Sequence, residues 1–402
     1  MFRALCYCLA PPLRTAQSRD SMVSIPNLQE DMIFQKQKWA YRIPALLYLA
    51  HSNTILAFAE EREDEVDEHA KRLVLRRGTY DKTAACVKWG DIETLVTAQL
   101  DGQRSMNPSP VYDEVTHTLF LFFITILGKV SENYQINTKT NLARLCHITS
   151  TDEGQTWSPI TDLTESVIGT EYGKWATFAV GPGHCLQLKD EHRSLVIPSY
   201  AYYIHNPHTR AVPYAFSIIS SDHGKTWNLG KFVAKESAVE CQMVEVNKEG
   251  ETHLYCNARS SQRARVEALS ETYGRDFQEA RLAARLVEEP YGCHGSVIGF
   301  SNPMKTSVGC TDTWILFSHP TDPRRRRGLG LYLNKNPLEP EQWEEPKIIY
   351  PGPSAYSDLQ YLGPGPDGSP TFCCLFECGT RSEYECIKFL MFTLKRVFSS
   401  VY

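Results

Sequence analysis

The chain has 402 residues, 42% hydrophobic and 22% charged, with a net charge of −5. That balance fits an ordinary globular protein able to bury a large core, and the negative charge argues against nucleic-acid binding. No apolar run reaches the roughly 18 residues of a spanning helix, and the 13 cysteines lack the paired spacings of a zinc site or a small disulfide scaffold, so a reducing, cytoplasmic setting fits best.

In chain order, residues 1–21 stand apart, with Arg3, Arg14 and Arg19, a single acid at Asp20, and a short apolar run over 4–10 that two prolines end. They read as a disordered extension upstream of an alternative start at Met22. A poor secretory signal or an organelle presequence is the competing reading. Cys6 and Cys8 are candidates for a reversible lipid, so membrane attachment, if present, is peripheral.

Short runs rich in β-formers follow at 46–49, 55–59, 73–75, 118–126, 195–198, 215–219, 254–256, 314–317, 372–376 and 387–393, separated by Gly, Pro, Asn, Asp and Ser. Only 278–288 has helical composition, with Ala280, Leu282, Ala283 and Leu286 on one face. Segments 60–69 and 320–328 read as long polar loops, where a rigid β scaffold carries its chemistry. The fold class is all-β. No low-complexity linker interrupts 22–402, which reads as one domain.

An eight-residue pattern occurs twice, at Ser150-Thr-Asp152-Glu-Gly154-Gln-Thr156-Trp157 and at Ser220-Ser-Asp222-His-Gly224-Lys-Thr226-Trp227. Ser and Asp side chains accept bonds from nearby backbone amides and Gly supplies a positive φ, so each copy predicts a hairpin turn whose closing Trp locks one strand pair to the next. A third copy keeps Ser270, Gly274 and Phe277 but lacks the Asp, so its turn is held differently. Repeated sheet units point to a propeller, which absorbs this length in one domain.

Several residues could carry chemistry. Arg42, in Tyr41-Arg42-Ile43-Pro44, is flanked by apolar residues and needs an anionic partner, in a structural ion pair or in a ligand site. Arg259 follows a strand, and four arginines occupy 324–327. Three separated arginines that converge would clamp a carboxylate through their guanidinium forks. Glu240 and Glu377 are lone acids in apolar strand-like stretches, where an unpaired carboxylate is costly, so each should face an Arg or a hydroxyl. Tyr356 could supply one such hydroxyl. Asp67 lies in an acidic run that reads as exposed surface.

Arg42 within Tyr-Arg-Ile-Pro, the Ser-x-Asp-x-Gly-x-Thr-Trp boxes, and the order Arg259, Arg326, Tyr356 resemble the sialidase superfamily, in particular the animal cytosolic and plasma-membrane type, from about Met22 to the C-terminus. The boxes are similar to that family's Asp-boxes. The resemblance implies a six-bladed β-propeller and a retaining exo-α-sialidase that forms a covalent sialyl-tyrosine. It implies that Arg42, Arg259 and Arg326 hold the sialic acid carboxylate, Arg326 being chosen from the four because it lies four residues before Gly330. It further implies Tyr356 as nucleophile, Glu240 as its base, Asp67 as general acid and Glu377 as the acid that orients Arg42, beside Ile43. Arg62, Met106 and Asn107 correspond to residues near the C4 hydroxyl and N-acetyl group, and Glu132, Tyr200 and Tyr202 to residues near the glycerol tail. His294 stands where relatives place Gln, as a hydrogen-bonding side chain whose charge could change with pH. The implied substrates are sialylated glycoproteins, oligosaccharides and gangliosides; no metal or organic cofactor is implied. The alternatives are a sialic-acid-binding lectin on an inactive scaffold and an intramolecular transglycosylase.

Overall fold

A computed structural model describes residues 27–401 apart from 234, 236, 305–311 and 340. The N-terminal extension, with Cys6, Cys8 and Met22, lies outside the described residues.

The apolar runs are strands. After β1 (Gln29–Gln35), β2 (Ala40–Leu49), β3 (Thr54–Arg62), β4 (Ala70–Asp81) and β5 (Cys86–Thr94) form one antiparallel sheet in that order. A second holds β6 (Gln103–Asp113), β7 (Thr118–Leu127), β8 (Ala143–Ser150) and β9 (Thr161–Asp162). The third contains β10 (Trp175–Val180), β11 (Leu186–Gln187), β12 (Leu195–Tyr203), β13 (Val212–Ser220) and β14 (Asn228–Leu229), and the fourth β15 (Cys241–Lys248), β16 (Glu251–Ala258), β17 (Ala264–Ser270) and β18 (Arg281–Val287). Then come β19 (Ser296–Ser301), β20 (Thr313–Pro320), β21 (Arg327–Asn334), β22 (Lys347–Pro364), β23 (Pro370–Cys378) and β24 (Cys386–Thr393). The arrangement is an all-β propeller. Where six separate sheets were expected, the hydrogen bonds give four of four or five strands and one continuous sheet of seven, because β22 is 18 residues long and pairs with β21 and β23 in succession. N-terminal β1 joins the outer edge of the seven-stranded sheet against β24, covering an otherwise open edge.

Apolar layers fill the spaces between neighbouring sheets. One joins Leu46, Ala57 and Val74 to Leu375, Ile387 and Phe389; another joins Phe122, Ile124 and Leu145 to Phe178, Ile197 and Phe216. Removing one such ring, as in Phe122→Ala, should cost about 3–5 kcal/mol. At the axis, fully buried Asp358 on β22 accepts from Leu46 N (2.7 Å), His184 N (2.9 Å), Gln242 Nε2 (2.8 Å) and Ser296 Oγ (3.0 Å), with His184 Nδ1 at 2.6 Å. One carboxylate thus ties four other segments to β22.

The repeated boxes are turns between the third and fourth strands of three sheets. Ser150 Oγ accepts from Gly154 N (2.7 Å), and Asp152 accepts from Thr156 N (2.9 Å) and Thr156 Oγ1 (2.6 Å). Ser220, Asp222 and Thr226 repeat these bonds. In the third copy the Thr272 hydroxyl takes the place of the missing Asp and accepts from Asp276 N at 2.8 Å. The closing Trp rings pack on the preceding sheet, Trp157 against Phe58 and Trp227 against Phe122 at 4.8 Å between centroids. Gly224, at φ +80, has no room for a Cβ, which would stand 2.4 Å from Phe120 Cζ. Gly224→Ala should therefore lower the unfolding free energy measured in urea by more than Gly250→Ala, whose glycine has φ +93 but open space, and the excess should exceed about 1 kcal/mol. An equal loss in both variants would mean that the turn glycine matters for its φ alone.

Two expectations fail locally. Segment 278–288 is not a helix: Arg281, Leu282 and Ala283 pair with Glu267, Val266 and Arg265 of β17, and Ala280, Ala283 and Leu286 are buried between sheets, so tertiary pairing overrides helical composition. Polar 60–69 is not loop throughout, since Glu60, Glu61 and Arg62 complete β3 and are buried. Helix α1 (Glu132–Thr138) lay outside the sequence expectations; Ser131 caps it by accepting from Tyr134 N at 2.9 Å.

Candidate active site

Strands at the axis bulge where they meet a central cavity of about 970 Å³. Register shifts fall between Arg42 and Ala45 in β2, between Met106 and Ser109 in β6, and between Ser354 and Ser357 in β22. A bulge re-aims the side chains beside it. Here the bulges present Arg42, Ile43, Met106, Asn107 and Tyr356 to the cavity wall. Ile43 and Asn107 both have φ +59, and for a β-branched residue such as Ile43 this is a strained backbone. A buried carboxylate holds each position: Glu377 Oε1 accepts from Ile43 N (2.9 Å) and Glu60 Oε1 from Asn107 N (2.7 Å).

The same two acids hold arginines. Glu377 grips Arg42 in a fork, Oε1 to Nε at 3.0 Å and Oε2 to Nη2 at 3.3 Å, and also accepts from Tyr356 N at 3.2 Å. Glu60 Oε2 accepts from Arg62 Nε (2.9 Å) and Nη2 (2.5 Å). The outer nitrogens of both arginines reach Asp67 Oδ1, from Arg62 Nη1 at 2.5 Å and from Arg42 Nη1 at 3.4 Å. Asp67 stands on the rim, with 63% of its side chain exposed. Partial burial pushes its carboxyl up, but Arg62 and Arg42 outweigh that and hold it below the usual carboxylate range.

Opposite, Tyr356 Oη donates to Glu240 Oε1 at 2.5 Å, and Arg259 Nη1 donates to both Tyr356 Oη (2.8 Å) and Glu240 Oε2 (2.7 Å). Burial, then the Glu240 charge, pushes the phenol well above its ordinary value. Burial also opposes Glu240's charge, but Arg259 prevails and holds it below its ordinary value. The pair therefore rests as phenol and carboxylate. Arg326 Nη1 donates to Tyr384 Oη (3.0 Å), Nη2 to Gly292 O (3.0 Å) and Nε to Glu289 Oε1 (3.4 Å). The guanidiniums of Arg42 and Arg326 each lie 5.4 Å from the centre of the Tyr356 ring. Arg324 and Arg325 are exposed, so Arg326 is the member of the run that faces the cavity.

The remaining wall carries Glu132, Tyr200 and Tyr202. Tyr200 Oη donates to Glu132 Oε1 at 3.3 Å; Glu132 is exposed as a residue, but crowding of its carboxyl at the cavity wall, then the Glu240 charge, pushes it up to about 7. Two expected residues do not line the cavity. Glu377 lies behind it, fully buried against Arg42. His294 does not reach it either. Glu288 accepts from Cys293 N at 2.9 Å and draws this segment inward, so the His294 ring packs 5.3 Å from the Tyr356 ring centre. Neither ring nitrogen has a hydrogen-bond partner among the described residues, and burial lowers the group to about 4, so it is neutral near pH 7 rather than a charge switch.

Glu60 and Tyr384 were missed. Glu60 opens a charged run that reads as surface, and Tyr384 lies in polar Ser-Glu-Tyr-Glu. Tyr384 bridges two arginines, bonding Arg326 and lying under Arg42 at 4.2 Å from ring centre to guanidinium. As a positioning residue it should act on binding: Tyr384→Phe should raise KM about tenfold with little change in kcat, and Tyr384→Leu, which also removes the ring, should raise it further. Equal losses in kcat and kcat/KM would contradict this.

The family described as BNR repeat-like domain matches residues 53–366. Mouse Sialidase-2 is 53% identical over 381 residues, covering 95% of this chain and 99% of that protein. Human Sialidase-3 is 42% identical, covering 89% of this chain and 90% of that protein. Among solved structures, Hadza microbial sialidase Hz136 aligns with a TM-score of 0.72 at 24% identity, over 89% of this chain and 66% of that one. Trypanosoma rangeli sialidase in complex with 2,3-difluorosialic acid, described as a covalent intermediate, aligns with a TM-score of 0.66 at 16% identity, over 90% and 55%. At these identities the structural likeness is one of fold.

Proposed function

The chain belongs to the animal sialidase family and is an exo-sialidase, a glycoside hydrolase acting on sialylated glycoconjugates, and we propose that its cavity works with retention through Tyr356. The observation that carries this reading is the Tyr356–Glu240 pair at 2.5 Å, set among Arg42, Arg259 and Arg326 in a cavity that Asp67 also lines.

The three arginines bind the sialic acid carboxylate and orient the anomeric carbon towards Tyr356 Oη. As that oxygen attacks, Glu240 takes its proton, and Asp67 protonates the departing glycosidic oxygen. The glycosidic bond breaks and a sialyl-tyrosine forms. Asp67, now a carboxylate, takes a proton from water, which attacks the anomeric carbon from the face the aglycone left. Tyr356 leaves and recovers its proton from Glu240. Two displacements restore the starting configuration. A phenol suits this substrate because a carboxylate nucleophile would approach an anomeric centre that already carries a carboxylate.

Arg62, Met106 and Asn107 are assigned to the C4 hydroxyl and N-acetyl side, and Glu132, Tyr200 and Tyr202 to the glycerol side, which their positions on the wall support. Glu377 and Glu60 position Arg42 and Arg62. We also count six blades, dividing the seven-stranded sheet within β22, where Arg327 pairs with Pro353 and Ser354 begins the pairing with β23. Residues 22–402 act as one catalytic unit, a reading supported by β1 closing onto β24. The ten described cysteines are free thiols, which supports a reducing, cytoplasmic location. Glycoproteins, oligosaccharides and gangliosides are the proposed substrate range.

Incubation with 3′-sialyllactose, followed by NMR, should yield lactose and free sialic acid first as the α-anomer. Release as the β-anomer would overturn retention, an anhydro sugar would make the protein an intramolecular transglycosylase, and binding without release would make it a lectin.

A further inference from the structure

We propose that Cys378 and Cys386 are a reversible redox pair, closing to a cross-strand disulfide under peroxide and so altering the arginine clamp. The disulfide itself follows from the strand geometry alone; its effect on the clamp rests on the proposed site.

Cys378 ends β23 and Cys386 begins β24, and they face each other as register partners across the ladder. Their sulfurs are 3.7 Å apart, so a side-chain adjustment of under about 2 Å brings them to bonding distance. Both are free, Cys378 fully buried and Cys386 retaining 7% exposure, enough for a small oxidant to reach the second. The pair is asymmetric. Cys386 is the one that retains exposure, so it meets the oxidant first and supplies the attacking thiolate.

The oxidant is a hydroperoxide. The Cys386 thiolate attacks one peroxide oxygen, the O–O bond breaks, and a sulfenic acid forms as hydroxide leaves. Cys378 gives its proton to that hydroxide and its sulfur attacks the Cys386 sulfur. The S–O bond breaks as the S–S bond forms, and the departing oxygen leaves as water once it is protonated by solvent. Two thiols and one hydrogen peroxide thus become one disulfide and two waters, and a dithiol reverses the change.

The pair sits between two groups of the clamp. Cys378 follows Glu377, which holds Arg42 and Tyr356 N, and Cys386 lies two residues beyond Tyr384, which bonds Arg326. Closing the bond turns the two side chains and pulls on the strand ends that carry them, next to both holders, and small displacements at an orienting group cost disproportionately.

Full-length protein treated with hydrogen peroxide and digested without reduction should yield the peptides of Cys378 and Cys386 joined, lighter by two hydrogens, and separable by dithiothreitol. KM for a fluorogenic sialoside should shift about threefold or more, reversibly, and kcat should fall with it because Glu377 also holds Tyr356 N. Cys386→Ser, or Cys378→Ala if the first variant folds poorly, should keep basal kinetics and lose the response. If both cysteines remain open to alkylation after peroxide has oxidised other thiols, the redox pair is refuted. A joined pair with unchanged KM refutes the coupling to the clamp. Absence of turnover in untreated protein would sink the enzymatic reading and leave the peptide result standing.

Discussion

Tyr356→Phe should lower kcat on any sialoside by on the order of a thousandfold or more, while sialic acid still binds within about threefold of the native affinity. The substitution removes one oxygen. Its ring stays packed between Arg42 and Arg326, and the clamp's other anchors, Glu377, Glu289 and Gly292, are untouched. What disappears is the atom that takes the anomeric carbon, together with the hydrogen bond it donates to Glu240 and the one it accepts from Arg259. Glu240 then keeps Arg259 at 2.7 Å, so its charge is not left unpaired and the fold survives. Calorimetry with sialic acid and a fluorogenic rate assay separate the two effects. Loss of binding in parallel with rate would make Tyr356 part of the clamp rather than the nucleophile.

The second large effect concerns Asp67. Asp67→Asn should lower kcat/KM on sialyllactose by about 10² to 10⁴, and much less on an aryl sialoside, whose phenolate leaves without protonation. The pH dependence follows from the same carboxyl. In the free enzyme Arg62 and Arg42 hold Asp67 below its ordinary value, so it is ionised near neutrality and the acid form needed for bond cleavage is lost as pH rises. A bound sialic acid carboxylate engages Arg42 and adds a negative charge nearby, and both changes push the Asp67 carboxyl up. The alkaline fall in kcat, which reports the complex, should therefore lie at higher pH than the fall in kcat/KM, which reports the free enzyme. Glu240 works as a carboxylate and sits below its ordinary value, so it sets the acid side of the profile. Coincident profiles, or an aryl substrate as sensitive to Asp67→Asn as the natural one, would remove Asp67 from the acid role.

How far the sequence could be read depended on whether a residue's cost was local. Glu240 and Glu377 stood out because a lone carboxylate in an apolar strand is expensive, and each does meet arginine: Glu377 finds Arg42 at a separation of 335 residues, and Glu240 finds Arg259 and Tyr356. The boxes were legible because a side chain binding its own turn leaves a fixed local spacing. Convergence was not legible from spacing, since it depends on bulges in β2, β6 and β22 that no residue type announces; it came from resemblance. Asp67 and Glu60 were masked by acidic neighbours that are surface in composition, and Tyr384 by a polar hairpin. His294 was misplaced because the resemblance sets it where relatives place a hydrogen-bonding Gln, whereas Glu288's hold on Cys293 turns it inward. The helical composition of 278–288 yielded to pairing with β17.

The central claim is that Tyr356 bonds covalently to the sugar. Brief incubation with 2,3-difluorosialic acid, whose C3 fluorine slows release of the adduct, followed by acid quench and peptide mass spectrometry, tests it directly. The account predicts one 3-fluorosialyl adduct on Tyr356, absent in Tyr356→Phe. An adduct on Glu240, Asp67 or another residue, or continued turnover of the inhibitor with Tyr356 never modified, would contradict it.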